Sequence, residues 1–314
     1  HNLHMKWGTE SRPANLETLF NPTSGVLKGF LAPTPTKNTH GGFVYVEIGH
    51  DIDLQETYNS SYTFYGDYTS DKLLYYYYKE PVVKYIMPSA GPNIGGTEVI
   101  VAGAWFLNYP FIDCVPLCKF GNKVVSGEFI STVRIKCVSP PQEGLAAAVP
   151  FKIGFNNYDW TSEELTFVYY NFPKIDYISP SSGPSTGGTM IQIHGSNFTG
   201  QAHAGEFLCR FRAVSINAPD KLIPAYFKNQ NLIYCSSPGG WGSGTEAKVD
   251  ISFNGKDFTS SNSSFYFFQI DGARPRSGPS GGSSKGIEIY GSGFINNPNA
   301  SCVVNYQDFK PLSV

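Results

Sequence analysis

A motif that returns three times along the chain leaves little freedom in what this sequence can become. From Pro88 it reads Pro-Ser-Ala-Gly-Pro-Asn-Ile-Gly-Gly-Thr-Glu-Val-Ile-Val-Ala-Gly-Ala-Trp-Phe, and from Pro180 Pro-Ser-Ser-Gly-Pro-Ser-Thr-Gly-Gly-Thr-Met-Ile-Gln-Ile-His-Gly-Ser-Asn-Phe. A looser copy opens at Pro275 and ends in Ile-Glu-Ile-Tyr-Gly-Ser-Gly-Phe. The matched glycines Gly91, Gly183 and Gly278 stand 92 and 95 residues apart, the length of a sandwich domain and far longer than a solenoid turn. Gly-Pro followed by Gly-Gly supplies two turns, proline fixing φ and glycine accepting positive φ. An alternating strand follows, with Thr189, Ile191 and Ile193 on one face and Met190, Gln192 and His194 on the other. Gly195 ends it, and Phe198 is expected to pack back onto the core.

The copies agree beyond the motif. Cys118-Lys119-Phe120-Gly121 matches Cys209-Arg210-Phe211-Arg212, with Cys302 in the same place in the last copy, and Lys136-Cys137-Val138-Ser139-Pro140 matches Tyr234-Cys235-Ser236-Ser237-Pro238. First strands are expected at Val82–Ile86 and Lys174–Ile178, and closing strands at Phe151–Phe155 with Leu165–Tyr170 and again at Val249–Phe258. Upstream, Trp7-Gly8 takes the place of Phe120-Gly121, Phe43–Ile48 reads as a penultimate strand and Leu73–Tyr78 as a last one. The organisation expected is therefore a partial domain over 1–79, whole domains over 80–171 and 172–268, and the opening of a fourth over 269–314, so that the chain begins and ends within a domain. Hydrophobic residues at 41% supply real cores, while 33 Gly and 22 Pro with few charges describe short strands and tight turns rather than helices.

The repeated Pro-Ser-x-Gly-Pro-x-x-Gly-Gly-Thr, exact from Pro88 and Pro180 and looser from Pro275, with its following strand and Gly-x-x-Phe (Gly-Ser-x-Phe in the second and third copies), resembles the IPT/TIG domain. The resemblance runs the length of both whole copies and implies an all-β chain of tandem immunoglobulin-like (early-set) β-sandwich repeats. It implies little about function, because similar domains occur in plexin-type receptors, fibrocystin-like ectodomains, starch-acting enzymes and Rel-type transcription factors.

The equivalent pairs Cys118–Cys137 and Cys209–Cys235 read as one disulfide per whole repeat; Cys302 lacks its partner and Cys114 is left over, either unpaired or available between chains. Such bridges point to an oxidising compartment. Four N-glycosylation sequons start at Asn59, Asn197, Asn262 and Asn299. Asn59 and Asn262 precede the final strand of their copies, and Asn197 and Asn299 lie in the loop after the motif, so the placement itself repeats. An extracellular or cell-surface protein of the secretory pathway, bearing N-linked glycans, is expected.

The candidate chemistry is thin. The six histidines are scattered, and His194, in a strand, reads as a surface residue rather than a metal ligand. Asp51, Asp53 and Glu56 lack the regular spacing of a calcium loop and read as a solvated hairpin. The tyrosines Tyr75–Tyr78 read as a last strand alternating between core and solvent. No catalytic motif or cofactor fingerprint occurs, so no enzyme and no cofactor are expected. A net charge of −2 gives no footprint for nucleic acid, and no apolar run spans a bilayer within this segment. The linkers Tyr78-Lys79-Glu80-Pro81 and Tyr170-Asn171-Phe172-Pro173 are short enough to hold neighbouring repeats stiffly. From these features a structural filament or fibril is expected, with other copies of itself or cell-surface proteins as partners. The stalk of a plexin- or fibrocystin-like receptor is the alternative, ahead of an accessory region of a glycan-acting enzyme and of Rel-like DNA binding.

Overall fold

The computed structural model describes residues 73–279 except 111–112, 145–146, 164 and 200–206, together with residues 286–296. Outside that range it gives Tyr45, Val46 and the paths of strands. The order of strands is β1 (Leu3–Trp7), β2 (Glu10–Pro13), β3 (Phe20–Asn21), β4 (Val26–Leu27), β5 (Gly42–Glu56), β6 (Tyr62–Tyr68) and β7 (Leu73–Tyr77). The first complete repeat follows with β8 (Val82–Met87), β9 (Ala90–Pro92), β10 (Glu98–Ala104), β11 (Leu117–Phe120), β12 (Lys123–Ser131), β13 (Arg134–Val138), β14 (Ala147–Gly154) and β15 (Leu165–Tyr170). The second has β16 (Lys174–Ser179), β17 (Ser182–Pro184), β18 (Met190–Ser196), β19 (Leu208–Ala213), β20 (Lys221–Asn229), β21 (Leu232–Ser236), β22 (Glu246–Ser252) and β23 (Ser264–Arg274). β24 (Glu288–Ser292), β25 (Cys302–Val304) and β26 (Gln307–Phe309) close the chain. The architecture is all-β, and no helix among the described residues is long and apolar enough to cross a membrane.

Each complete repeat is an immunoglobulin-like sandwich made by folding one ladder of strands onto itself. The first follows the order β8-β10-β13-β12-β11-β14-β15-β9 and the second β16-β18-β21-β20-β19-β22-β23-β17. The fold-over is made by a single strand in each. Residues Lys123–Ser126 of β12 pair with β11, whereas Gly127 onward pairs with β13, so the strand passes from one layer to the other. Gly127 stands at the bend because a Cβ there would meet the Ile135 side chain and Cys118 Sγ. In the second repeat β20 makes the same crossing at Ala225. The short strands β9 and β17 pair in parallel with β15 and β23, which carries the Gly-Pro end of the motif to the bottom of the sandwich, beside the exit of the last strand.

Alternation decides the core. Val99 and Val101 of β10, and Ile191 and Ile193 of β18, are fully buried between the layers. Facing them are Phe120, Phe151 and Phe167 in the first repeat and Phe211, Phe265 and Phe267 in the second, their rings meeting edge to face. Each such ring contributes on the order of 2–3 kcal/mol by leaving water. Phe106 and Phe198 fold back beneath their strands and are buried. The layers are also joined covalently: Cys118 on β11 bonds Cys137 on β13, and Cys209 on β19 bonds Cys235 on β21, with Cα separations of 6.2 and 6.5 Å. Cys114 is a free, buried thiol whose pKa burial pushes up, away from the reactive thiolate.

The inter-repeat joint as candidate functional site

Only three residues, Asn171 to Pro173, separate β15 from β16. The two sandwiches consequently touch, and a hairpin turn at the top of the second repeat makes the contact. In Phe253-Asn254-Gly255-Lys256-Asp257, Asn254 Oδ1 accepts from the backbone N–H of Lys256 (3.0 Å) and of Asp257 (2.9 Å), an Asx-type closure that shapes the turn. Asn254 Nδ2 donates to Asp257 Oδ2 (2.6 Å) and, across the joint, to the Ala90 carbonyl (2.9 Å). Asp257 Oδ2 in turn accepts from the Thr97 hydroxyl at 2.7 Å. Thr97 and Asn254 are 0% and 4% exposed, and the bond from Asn254 to the Ala90 carbonyl is made away from water, where leaving it unmade is costly, while the bonds to Asp257 are part-buried.

Apolar packing surrounds this polar clasp. Ala90 and Tyr170, both belonging to the first repeat, are buried in the same core as Phe253, Phe198 and Ile251 of the second. The rings of Tyr170 and Phe253 lie 5.5 Å apart, and Asn93 Nδ2 donates to Asn171 Oδ1 at 3.2 Å. Burial, and secondarily the Asp257 carboxylate, push the Tyr170 hydroxyl far above the ordinary tyrosine range, so it stays neutral within the joint. Thr97 is the threonine of the Gly-Gly-Thr motif. Its backbone N–H donates to Ser139 Oγ and its carbonyl accepts from the Ser139 N–H, and Thr189 with Ser237 repeats that pair in the second copy. The motif thus shapes a loop at the bottom of one repeat that receives the turn of the next.

The joint above the first repeat is built from the equivalent residues. Tyr78 packs on Phe155 at 5.9 Å as Tyr170 does on Phe253, and Tyr76 meets Tyr109 at 5.2 Å. The turn Asn156–Asp159 is closed in the same way: Asn156 Oδ1 accepts from the N–H groups of Tyr158 and Asp159, and Nδ2 donates to Asp159 Oδ2 at 2.7 Å. The tyrosine run does not alternate as expected. Leu73, Leu74 and Tyr75 are exposed, while Tyr76, Tyr77 and Tyr78 are half-buried, because the run enters the joint instead of continuing along a sheet face.

A second recurrent contact lies beside the linkers. Trp105, Asn197 and Gly293 occupy the same place in the three copies, and all three take left-handed backbone, with φ of 61°, 60° and 77°. Such a φ costs an ordinary residue roughly 1–2 kcal/mol, little for asparagine and nothing for glycine. Trp105 holds it with the Lys79 ammonium 3.5 Å from its ring centroid. Asn197 Nδ2 donates to the Phe172 carbonyl at 3.2 Å, and Gly293 lies against Gly244 N and Phe267 O where a Cβ would not fit. Below the second repeat no loop intervenes at all: β23 runs on from that sandwich to pair with β24.

The remaining candidates fall as follows. Asn197 and Asn262 are exposed, whereas Asn59 and Asn299 lie outside the described residues. Cys302 lies on β25, and Asp51, Asp53 and Glu56 on β5, with side chains outside the described residues. His194 stacks on Tyr177 (4.4 Å, 9° between planes), and no group of His, Cys, Asp and Glu suited to a metal occurs among the described residues.

The family model of the IPT/TIG domain matches residues 81–169 and again 173–267, more than half of the chain. The chain belongs to the IPT/TIG domain family. Human plexin-A3 is 30% identical over 125 residues, covering 37% of this chain and 6% of plexin-A3. Human fibrocystin-L is 24% identical over 243 residues, covering 73% of this chain and 5% of fibrocystin-L. The chain therefore spans about one twentieth of the length of these curated relatives. Among solved structures, the full extracellular region of plexin A4 aligns over 98% of this chain and 27% of that one, at 14% identity and a TM-score of 0.42.

Proposed function

We propose that this segment is a stiff, non-catalytic stalk in the extracellular region of a cell-surface receptor or adhesion protein. The observation that carries the reading is the clasp of Thr97, Ala90, Asn254 and Asp257, which ties two IPT/TIG sandwiches through a buried and a part-buried hydrogen bond and a shared apolar core. A flexible tether needs none of this, whereas a spacer that holds a neighbouring domain at fixed distance and angle does. Similarity to plexin-A3 and fibrocystin-L supports the stalk over a fibril. The stiff joints that favoured a filament serve a stalk equally well. The disulfides and the sequons at Asn59, Asn197, Asn262 and Asn299 support passage through the secretory pathway. Membrane-impermeant labelling of intact cells, with intact-glycopeptide mass spectrometry of the labelled full-length protein, tests the placement. Labelled protein with occupied asparagines and bonded cysteines is expected. Unlabelled protein with bare asparagines and free Cys118 and Cys137 thiols would contradict it, and periodic fibrils in electron micrographs of the native material would favour the filament instead.

A further inference from the structure

We propose that the open side of the second complete repeat is a seat for the N-linked oligosaccharides carried by Asn197 and Asn262, resting on the extracellular reading above. A groove of about 960 Å³ runs along that side, between β16 and the segment Thr259–Ser264 that leads into β23. Both sequon asparagines line it. The groove exists because β16 pairs only with β18, while the lower part of the opposite layer is closed by β17. Its upper part therefore presents an edge strand, the kind of surface that recruits another chain unless it is covered.

The lining suits a carbohydrate. Ser260 and Ser263 bring hydroxyls, and Lys174 and Asp176 bring charged hydrogen-bonding groups along the β16 edge. Tyr177 is stacked on one side by His194 yet remains 56% exposed, leaving ring surface for sugar C–H groups. The groove is open along its length, and its volume leaves room for sugar rings to lie against the β16 edge. In glycosylation Nδ2 attacks the anomeric carbon of a lipid-diphosphate-linked oligosaccharide. The C–N bond forms, the C–O bond to phosphate breaks, and the lipid diphosphate leaves as Nδ2 gives up one of its two protons. One N–H remains, enough for Asn197 to keep its bond to the Phe172 carbonyl and so to fix the direction in which the sugar leaves. The first repeat has Trp105 in the place of Asn197 and Glu164 in the place of Asn262, so bulk and charge stand where the second repeat carries sequons.

The test uses the full-length protein secreted from a eukaryotic cell, compared before and after enzymatic removal of its N-glycans. Site occupancy is read by mass spectrometry and amide hydrogen exchange over Lys174–Ser179. Occupied Asn197 and Asn262, with exchange in that strand about tenfold slower while the glycans are present, is the expected result. The variants Asn262→Gln and Asn197→Gly, the second borrowing the residue of the third copy, should each recover part of that acceleration while the rest of the repeat keeps its protection. Occupied asparagines with identical exchange in both forms would overturn the seat. Bare Asn197 and Asn262 beside glycosylated Asn59 and Asn299 would overturn the seat alone, and four bare asparagines would overturn the extracellular reading as well.

Discussion

The two complete repeats share the apolar pattern of their interior, with Val99, Phe151 and Tyr169 answered by Ile191, Val249 and Phe267, and differ more on the outer face of the sheet built from their first strand. In the first, Ile100, Lys136 and Glu128 lie side by side on β10, β13 and β12, and Lys136 binds Glu128 at 2.6 Å and Glu98 at 3.8 Å. In the second the same row is Gln192, Tyr234 and Tyr226, with Met190 in place of Glu98 and the Tyr177–His194 stack beside it. An ion ladder in one sandwich is replaced by uncharged and aromatic side chains in the other, with no change of register. Burial, bridge and turn chemistry dictate inward positions, while outward ones are free to differ, so each repeat presents its own surface on a common frame.

The largest effect that separates shared frame from local surface is expected for Phe253→Ala. It removes a ring packed on Tyr170, Phe198 and Phe207 and should cost about 3–5 kcal/mol by denaturant titration, loosening the second repeat and the joint together. Replacing both Cys209 and Cys235 by serine should cost about 2–5 kcal/mol, and the matching change at Cys118 and Cys137 a similar amount. A large disparity between them would show that the two interiors are not equivalent. Next comes Asn254→Ala, which leaves the Ala90 carbonyl buried without its donor at a cost of about 1–3 kcal/mol. Asn156→Ala removes the same turn at a more exposed place and should cost less.

Alkali should tell the repeats apart more gently. Burial pushes the Tyr169 hydroxyl, which donates to the Pro140 carbonyl, up to about 12, whereas its counterpart in the second repeat is Phe267. The folded state holds this proton more tightly than the unfolded chain. Its contribution is therefore full below about pH 10 and lost as pH rises through about 12. Tyr169→Phe should flatten that part of the stability profile of the first repeat. The smallest effect belongs to the ion ladder: Lys136→Met should change the melting temperature less than any substitution above, and high salt should erase even that difference.

Much of this was legible beforehand, because turns and alternation are local. Gly-Pro, Gly-Gly and the Val99/Val101 and Ile191/Ile193 pattern announce a sandwich without reference to anything distant. The joint was not, since Thr97 and Asp257 are 160 residues apart in sequence and meet only once two sandwiches are stacked. The signal was present nonetheless: Phe-Asn-x-x-Asp occurs at 155–159 and at 253–257, and the Gly-Gly-Thr threonine stands at both Thr97 and Thr189. The tyrosine run misled for the same reason. Period-two alternation describes a strand in a sheet, and Tyr76 and Tyr78 answer to the neighbouring repeat instead.

The direct test of the central claim is the distance distribution between spin labels carried by unnatural amino acids at Ile130 and Tyr226, exposed sites on the two repeats. A single narrow distribution that broadens in the Thr97→Val, Asn254→Ala double variant is expected from a clasped joint. A broad distribution in the unaltered protein, unchanged by those substitutions, would contradict it.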